Sequence, residues 1–331
     1  MRPRNLWTDY LAHNKTLGSK LRLIDEELFK VLMEASSEPK ILYDAAIHPI
    51  KSGGKRLRPL LVLLACEAVT GDFMKALSVA VAIEIIHTSS LIHDDLIDQD
   101  SERRGAPTVH MKYGNNMAIL SGDILISKAM QMISDNSSIK VRRAIAQACI
   151  EMCEGECLDV SFKKSPETVT EENYLKMVGK KTGALVRAAA ECGGIIGGGT
   201  RHQVRALAKY GEFLGLSLQL RDDVHEILTT ETGPEASLNN CLLGQGSNLV
   251  LIHSFRNSDK SQQNLLRSLF TSNVDCHRLR DATNVFEDSM SIQHVERLSE
   301  RFEKEAKEAI IGMNFRNQRI LEDLAGYVAR N

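Results

Sequence analysis

Residues 76–98 read ALSVAVAIEIIHTSSLIHDDLID, and this stretch decides the fold class. It is almost wholly apolar until His87, then turns acidic at Asp94, Asp95 and Asp98. A helix that is apolar all round has to be buried, so it needs other helices around it. The rest of the chain supplies them. Ala, Leu, Ile and Glu recur at the helical period, and long alternating strand patterns are absent. Aromatic residues make up only 5% of the 331, and Pro occurs 7 times.

Working outward, the spacing predicts helices over 22–35, with Leu23, Leu28, Val31 and Leu32 on the apolar side, and over 57–69, with Pro59 tolerated in the first turn. It predicts further helices over 116–134, 139–160, 171–192, 201–229, 249–257, 262–273, 291–313 and 320–329. Gly53-Gly54, Gly71, the 193–199 glycine cluster, Gly233-Pro234 and Gly244–Gly246 punctuate them. Length alone suggests about two domains. No break is long or polar enough for a linker, so the reading is all-α: one large helical bundle over 1–331, with 1–20 a candidate N-terminal extension.

Composition excludes several function classes. Lys and Arg number 41 against 43 Asp and Glu, a net charge of −2, which is no footprint for bulk nucleic-acid binding. With 43% apolar and 25% charged residues, the chain is not a disordered or low-complexity one. An uncharged apolar run of about 18 residues is missing, so no transmembrane segment is expected. The Cys count is 7, with no CxxC pair, which fits a reducing, cytoplasmic setting and neither a disulfide framework nor a zinc site. The N-terminus carries basic residues but no apolar signal core. Cys149, Cys153 and Cys157 form an i, i+4, i+8 stripe that reads as small core packing.

The chemistry gathers at two acidic helix ends. Asp94 and Asp98, four residues apart, share one helix face about 6 Å apart along the axis. Like charges there repel, and a solvated helix end is the bland explanation. An oxygen-only pair that does bind a cation suits Mg²⁺ rather than zinc or copper. A second burst, LQLRDDVHE over 218–226, repeats the spacing with Asp222 and Glu226. Two such ends about 130 residues apart in the chain, facing across a bundle, would form a multi-metal clamp on a diphosphate.

Basic elements complement them. Gly53-Gly54-Lys55-Arg56-Leu57-Arg58-Pro59 sets a flexible pair before three cations and a helix start, a favourable anion site. Arg103-Arg104-Gly105 follows the first acidic cluster by one short loop, and adjacent arginines can each fork onto a phosphate. Lys180-Lys181-Thr182-Gly183 adds cations and a hydroxyl. His87, seven residues before Asp94, lies on the same helix face as the acidic pair.

Taken together, GGKRLRP, IEIIHTSSLIHDDLIDQDSERRGAPTVH, SGDILI, KTGALV and LQLRDDVHEI resemble the trans-polyprenyl (isoprenyl) diphosphate synthase family, geranylgeranyl diphosphate synthase-like members in particular. The resemblance covers roughly residues 40 to 230, in the family's order and spacing. It implies the isoprenoid synthase fold, a bundle around a central cleft, and a homodimer. It implies a prenyltransferase that condenses isopentenyl diphosphate with an allylic diphosphate, using about two to three Mg²⁺ ions.

Carried over residue by residue, Lys55, Arg58, His87 and Arg104 resemble the isopentenyl diphosphate contacts. Arg103, Lys181, Thr182 and Gln219 resemble the allylic contacts. Asp94, Asp98 and Asp222 resemble the metal ligands, joined by Glu226 where the commoner pattern has Asp. With Lys181, the three aspartates are the residues expected to carry catalysis. Neutralising the leaving diphosphate lets the allylic C–O bond ionise, and the isopentenyl double bond then attacks. The proton leaves to the diphosphate, and an apolar interior keeps water from the cation.

The segment GPEASLNNCLLGQGSNL over 233–249 departs from the family's Gly-Lys-rich stretch, with Gln245 near an expected lysine. A regulatory subunit of a heteromeric synthase or a terpene cyclase are the rival readings. The basic elements argue against both, and a helical scaffold would leave the paired acidic clusters unexplained. Ser89 and Ser90 stand where short-product relatives often carry aromatic rings, and Ile86, then Ala82 and Ile83, follow one turn deeper. Without a plug there, an all-trans product of about twenty carbons or more is expected, in the range of about twenty to twenty-five.

Overall fold

The computed structural model describes residues 15–34, 38–163, 166–228, 247–268 and 276–328. In chain order the helices are α1 (Lys15–Glu34), α2 (Lys40–Lys51), α3 (Leu57–Thr70), α4 (Leu77–Asp98), α5 (Val109–Tyr113), α6 (Asn115–Asn136) and α7 (Ile139–Phe162). They continue with α8 (Glu171–Val178), α9 (Ala184–Ile196), α10 (Arg201–Leu228), α11 (Leu249–Asn257) and α12 (Lys260–Ser268). α13 (Cys276–Asp288), α14 (Ser291–Ile310) and α15 (Arg319–Val328) complete the set. Strands among the described residues amount to a hairpin of β1 (Glu102–Arg103) and β2 (Ala106–Pro107).

Local chemistry sets several boundaries. The Ser138, Thr170 and Asn248 side chains accept from the backbone N–H of Val141, Asn173 and Val250, so α7, α8 and α11 begin at side-chain caps. Gly71, at φ +85°, closes α3 in the left-handed conformation that glycine adopts without a steric penalty.

α9 is the hub. It packs on α3, α7 and α10, while α4 packs on α3 and α6. A Cβ at Gly193 would sit 2.7 Å from the Ala65 Cβ, so glycine there is what lets α9 lie directly on α3. Buried apolar residues form two clusters, one around α3, α4 and α9 and one around the C-terminal half of α10 with α11 and α14; Phe213 packs against both.

By length and composition Met74–Asp98 would suffice to cross a membrane, with mean hydropathy 1.5, although Glu84 interrupts its apolar run. Of its most apolar stretch, 67% is buried inside the bundle. Its one mid-helix charge, Glu84, is 3% exposed and accepts from Arg56 Nη1 at 2.9 Å.

Two other differences have physical causes. α1 begins seven residues earlier than its periodicity suggests and buries Leu17, Leu21, Ile24, Leu28 and Leu32; Leu23 and Val31 are only half-buried. The buried stripe needs the first two turns to be visible, and those turns are polar. α2, the short α5 and α13 went unread. α2 carries Pro49 inside it, a helix breaker by propensity, yet buries Ala45, Ala46, Ile47 and Ile50. Tertiary packing overrides propensity there.

α1 is pinned to α3 by Lys20, which is 1% exposed, 3.1 Å from Glu67 Oε1 and over the Phe73 ring at 4.3 Å. Lys20→Ala is therefore expected to lower the unfolding free energy by about 1–3 kcal/mol, the cost of stranding a partly buried partner. Urea denaturation measures it, and an unchanged midpoint would mean that Glu67 is resolvated freely.

Candidate active site

α4 carries the first acidic cluster into a cleft of about 770 Å³, lined by Asp94 and Asp98 together with His87 and Ser90. The neighbouring Asp95 points elsewhere. It is 3% exposed and takes an ion pair from Arg103 Nε. The chain returns to the cleft because Arg104 and Gly105, at φ +57° and +73°, make the two-residue turn that pairs Arg103 with Ala106. The short loop of the sequence reading is thus a hairpin. It holds Arg103 against Asp95, and against Asp100 at 3.5 Å, and lets Arg104 Nη1 donate to the Gly53 carbonyl.

Lys55 and Arg58 also line the cleft. Arg58 Nη1 donates to His87 Nε2 at 3.1 Å. A guanidinium has no acceptor, so His87 is neutral with its proton on Nδ1. Burial, and then the Arg58, Arg104 and Arg103 charges, hold its pKa well below 6.5. Among the described residues Arg58 Nε is buried without a hydrogen-bond partner, as expected of a cation built to meet an anion.

α10 brings Asp222 and Glu226 to the same cleft. Burial raises the pKa of Asp222, opposed by Lys55, His225 and Arg58. Asp223 faces inward, accepting from Tyr174 Oη at 2.5 Å and from the Leu249 N–H at 3.0 Å. Asn248 Nδ2 donates to Glu226 Oε2 at 3.2 Å, so the start of α11 is stapled to the second acidic cluster.

Lys181 and Thr182 lie in a π-turn, Gly179–Gly183, that interrupts the single helix expected over 171–192. Such a turn carries one extra residue and tends to mark functional positions. Its place is made by Gly155 of α7, where any Cβ would enter the Lys180–Lys181 backbone. Lys181 Nζ lies 2.5 Å from Asp159 Oδ2 and 2.7 Å from Glu156 Oε2. Thr182 Oγ1 donates to Gln219 Oε1 at 2.9 Å, which joins these two expected allylic contacts.

α7 is what the sequence reading missed. Glu156 and Asp159 neutralise Lys181, and Lys163 pairs with both Asp98 and Asp159. The signal was present as E-G-E-x-x-D over 154–159, which reads as an ordinary solvated face without tertiary information. Burial first, then the charge of Glu156, pushes the Asp94 carboxyl up to about 7. An acid so placed favours a cation beside it.

Beside the cleft lies an apolar pocket of about 420 Å³ that shares Ser90, Asp94, Met152 and Lys181 with it. Ile86, Ser89 and Ile97 of α4 form one wall, and Cys149, Cys153 and Cys157 of α7 form another. The cysteine stripe is thus pocket lining rather than core packing. Cys153 and Cys157 are exposed because α7 keeps this face open. Ser89 is 2% exposed and donates to the Gly122 carbonyl at 2.8 Å. Ala82 and Ile83 are wholly buried in the core and lie outside the lining, so Ile86 ends the pocket on the α4 side. Gln245 lies outside the described residues.

Among the described residues, no three carboxylate, imidazole or thiol groups converge as a finished metal cage. The cleft offers an all-oxygen set split between two helices: Asp94 and Asp98 on one, Asp222 and Glu226 on the other. That set fits Mg²⁺ held by few carboxylates and completed by phosphate and water.

Comparison with known proteins gives the class of this bundle. Residues 39–286 match the polyprenyl synthetase family. A short chain isoprenyl diphosphate synthase of Methanothermobacter thermautotrophicus is 37% identical over 308 residues, 88% of this chain and 94% of that protein. A geranylgeranyl diphosphate synthase of Methanosarcina mazei is 40% identical over 233 residues, 68% of this chain and 70% of that protein. The crystal structure of geranylgeranyl pyrophosphate synthetase from Pyrococcus horikoshii superposes with a TM-score of 0.89 at 35% identity, covering 98% and 99% of the two chains. The chain belongs to the polyprenyl synthetase family, and it is a prenyltransferase.

The Gly155 contact gives a test. Gly155→Ala should displace the π-turn and with it Lys181, lowering kcat/KM by about 10²-fold, the scale of an ångström misplacement at a reacting centre. Steady-state kinetics decides it, and an unchanged kcat/KM would show that the π-turn does not position Lys181.

Proposed function

We propose that this prenyltransferase joins isopentenyl diphosphate to an allylic diphosphate and releases an all-trans product of about twenty to twenty-five carbons. One observation supports the reading: both acidic helix ends, Asp94 and Asp98 with Asp222 and Glu226, line a single cleft together with the basic residues Lys55, Arg58 and Arg104 and with His87. A chain that handled one diphosphate would have no use for two anion sites.

Lys55, Arg58 and Arg104 bind the isopentenyl diphosphate, and neutral His87 orients Arg58. Lys181, Thr182 and Gln219 take the allylic diphosphate, with Arg103 on its other side. Asp94, Asp98, Asp222 and Glu226 would hold Mg²⁺, which would supply charge to neutralise the leaving diphosphate. As the allylic C–O bond breaks, Lys181 meets the charge that develops on the departing oxygen. The isopentenyl double bond closes a new C–C bond on the allylic carbon. The proton lost from the adjacent carbon goes to the released diphosphate, so no side-chain base is required.

Leu91, Met152, Leu185 and Leu218 line the cleft with apolar surface and exclude water from the carbocation. The growing chain enters the pocket between α4 and α7, where Ser89, Ser90 and Ile86 leave room for it. A homodimer is supported by the exposed apolar residues Ile97, Ile119, Leu120 and Ile150 on α4, α6 and α7.

Labelled isopentenyl diphosphate with an allylic primer and Mg²⁺ tests the reaction, with chain lengths read after dephosphorylation. Asp94→Ala or Asp98→Ala should lower kcat at least about 10²-fold, and near wild-type turnover would sink the clamp.

Ser89→Phe should shorten the product, because a close-packed wall does not yield to an added ring. A wild type that stops at about fifteen carbons, or an unshifted mutant, would put the length-setting wall elsewhere.

A further inference from the structure

Arg56 stands between Lys55 and Arg58 but has no part in the scheme above. It is 5% exposed and caps α3 in the left-handed region, at φ +50°. All three guanidinium nitrogens are engaged. Nε donates to Asp25 Oδ1 of α1 at 2.8 Å, and Nη1 to Glu84 Oε1 of α4 at 2.9 Å. Nη1 also reaches the Gly53 carbonyl at 3.4 Å, and Nη2 the Ile50 carbonyl at 3.3 Å.

The glycine loop is therefore gripped by two arginines. Arg104 also donates to the Gly53 carbonyl, and a Cβ on Gly54 would lie 2.8 Å from Nη1 of both Arg56 and Arg104. Cations at 55, 56 and 58 repel one another. Two carboxylates fix the Arg56 guanidinium at the edge of the cleft, which it lines beside Lys55 and Arg58. Glu84 lies one turn before His87 on α4, so the anchor and the cradle share one helix. Asp25 comes from α1, outside the matched span 39–286.

We propose that Arg56 is the positioning residue of the isopentenyl diphosphate cradle, held by Glu84 and by Asp25 of the N-terminal helix. The inference rests on the substrate assignment made above. Its specificity lies in what it spares: Lys181, Thr182 and Gln219 are held by other partners on α7 and α10.

Arg56→Lys keeps the charge but cannot span both carboxylates and the two carbonyls. Asp25→Asn, at a side chain 46% exposed, loosens the anchor with little threat to folding. Calorimetric titration of the full chain with isopentenyl diphosphate alone, together with KM for each substrate, reads the effect. Affinity for isopentenyl diphosphate should fall about tenfold in Arg56→Lys and about threefold in Asp25→Asn, with its KM rising in step. The allylic KM should stay within about twofold of wild type.

Unchanged isopentenyl diphosphate affinity in Asp25→Asn and in any folded Arg56→Lys overturns the proposal. So does an equal loss for both substrates, the mark of a merely structural role. If wild type binds no isopentenyl diphosphate, the substrate assignment falls, whereas wild-type binding with unaffected variants removes only the role of Arg56.

Discussion

Like charges held one helical turn apart are the constraint around which this bundle is arranged. Asp94 and Asp98 end one buried helix, and Asp222 and Glu226, near the end of another, line the same cleft. Carboxylates do not stay ionised at the edge of an apolar core without cations near them. Here the cations come from side chains. Lys163 sits on Asp98, Lys181 lies in the field of Asp94, and Lys55 and Arg58 act on Asp222. Of these, Lys181, Lys55 and Arg58 line the cleft, so cations that balance the buried carboxylates also stand within reach of whatever the cleft takes up.

The apolar architecture makes this arrangement stable. α4 tolerates an acidic end because its first four turns are buried against α3 and α6. α9 reaches the centre because Gly193 lets it lie on α3. The π-turn before α9 fits against α7 through Gly155, and that contact points Lys181 at Asp159 and Glu156. The apolar pocket lined by α4 and α7 adjoins the polar cleft, and the two share Asp94 and Lys181.

Much of this was legible in the sequence because the decisive signals are local. Period and burial pattern give α4 and α10 within a residue or two, and the i, i+4 carboxylates are visible as spacing. Lys55, Arg58, His87, Arg103, Arg104, Lys181, Thr182 and Gln219 all reach one cleft, as the family resemblance implied. What stayed hidden depends on contacts between distant segments. Asp95 reads like its neighbours, and only the hairpin shows that it serves Arg103 rather than the cleft. The acids of α7 and the three cysteines look like surface and core respectively until α4 is placed against them. A π-turn has no period of its own to read, and Pro49 disguised α2.

The central claim is that both acidic helix ends act on one diphosphate. A crystal structure with Mn²⁺ in place of Mg²⁺ and an unreactive allylic thiodiphosphate, read by the anomalous signal of manganese, tests it most directly. The account predicts metal peaks on Asp94 and Asp98 and on Asp222, all bridged by the same diphosphate, with Lys181 turned onto its oxygens. Manganese confined to one helix end, or a diphosphate seated away from both, would contradict it.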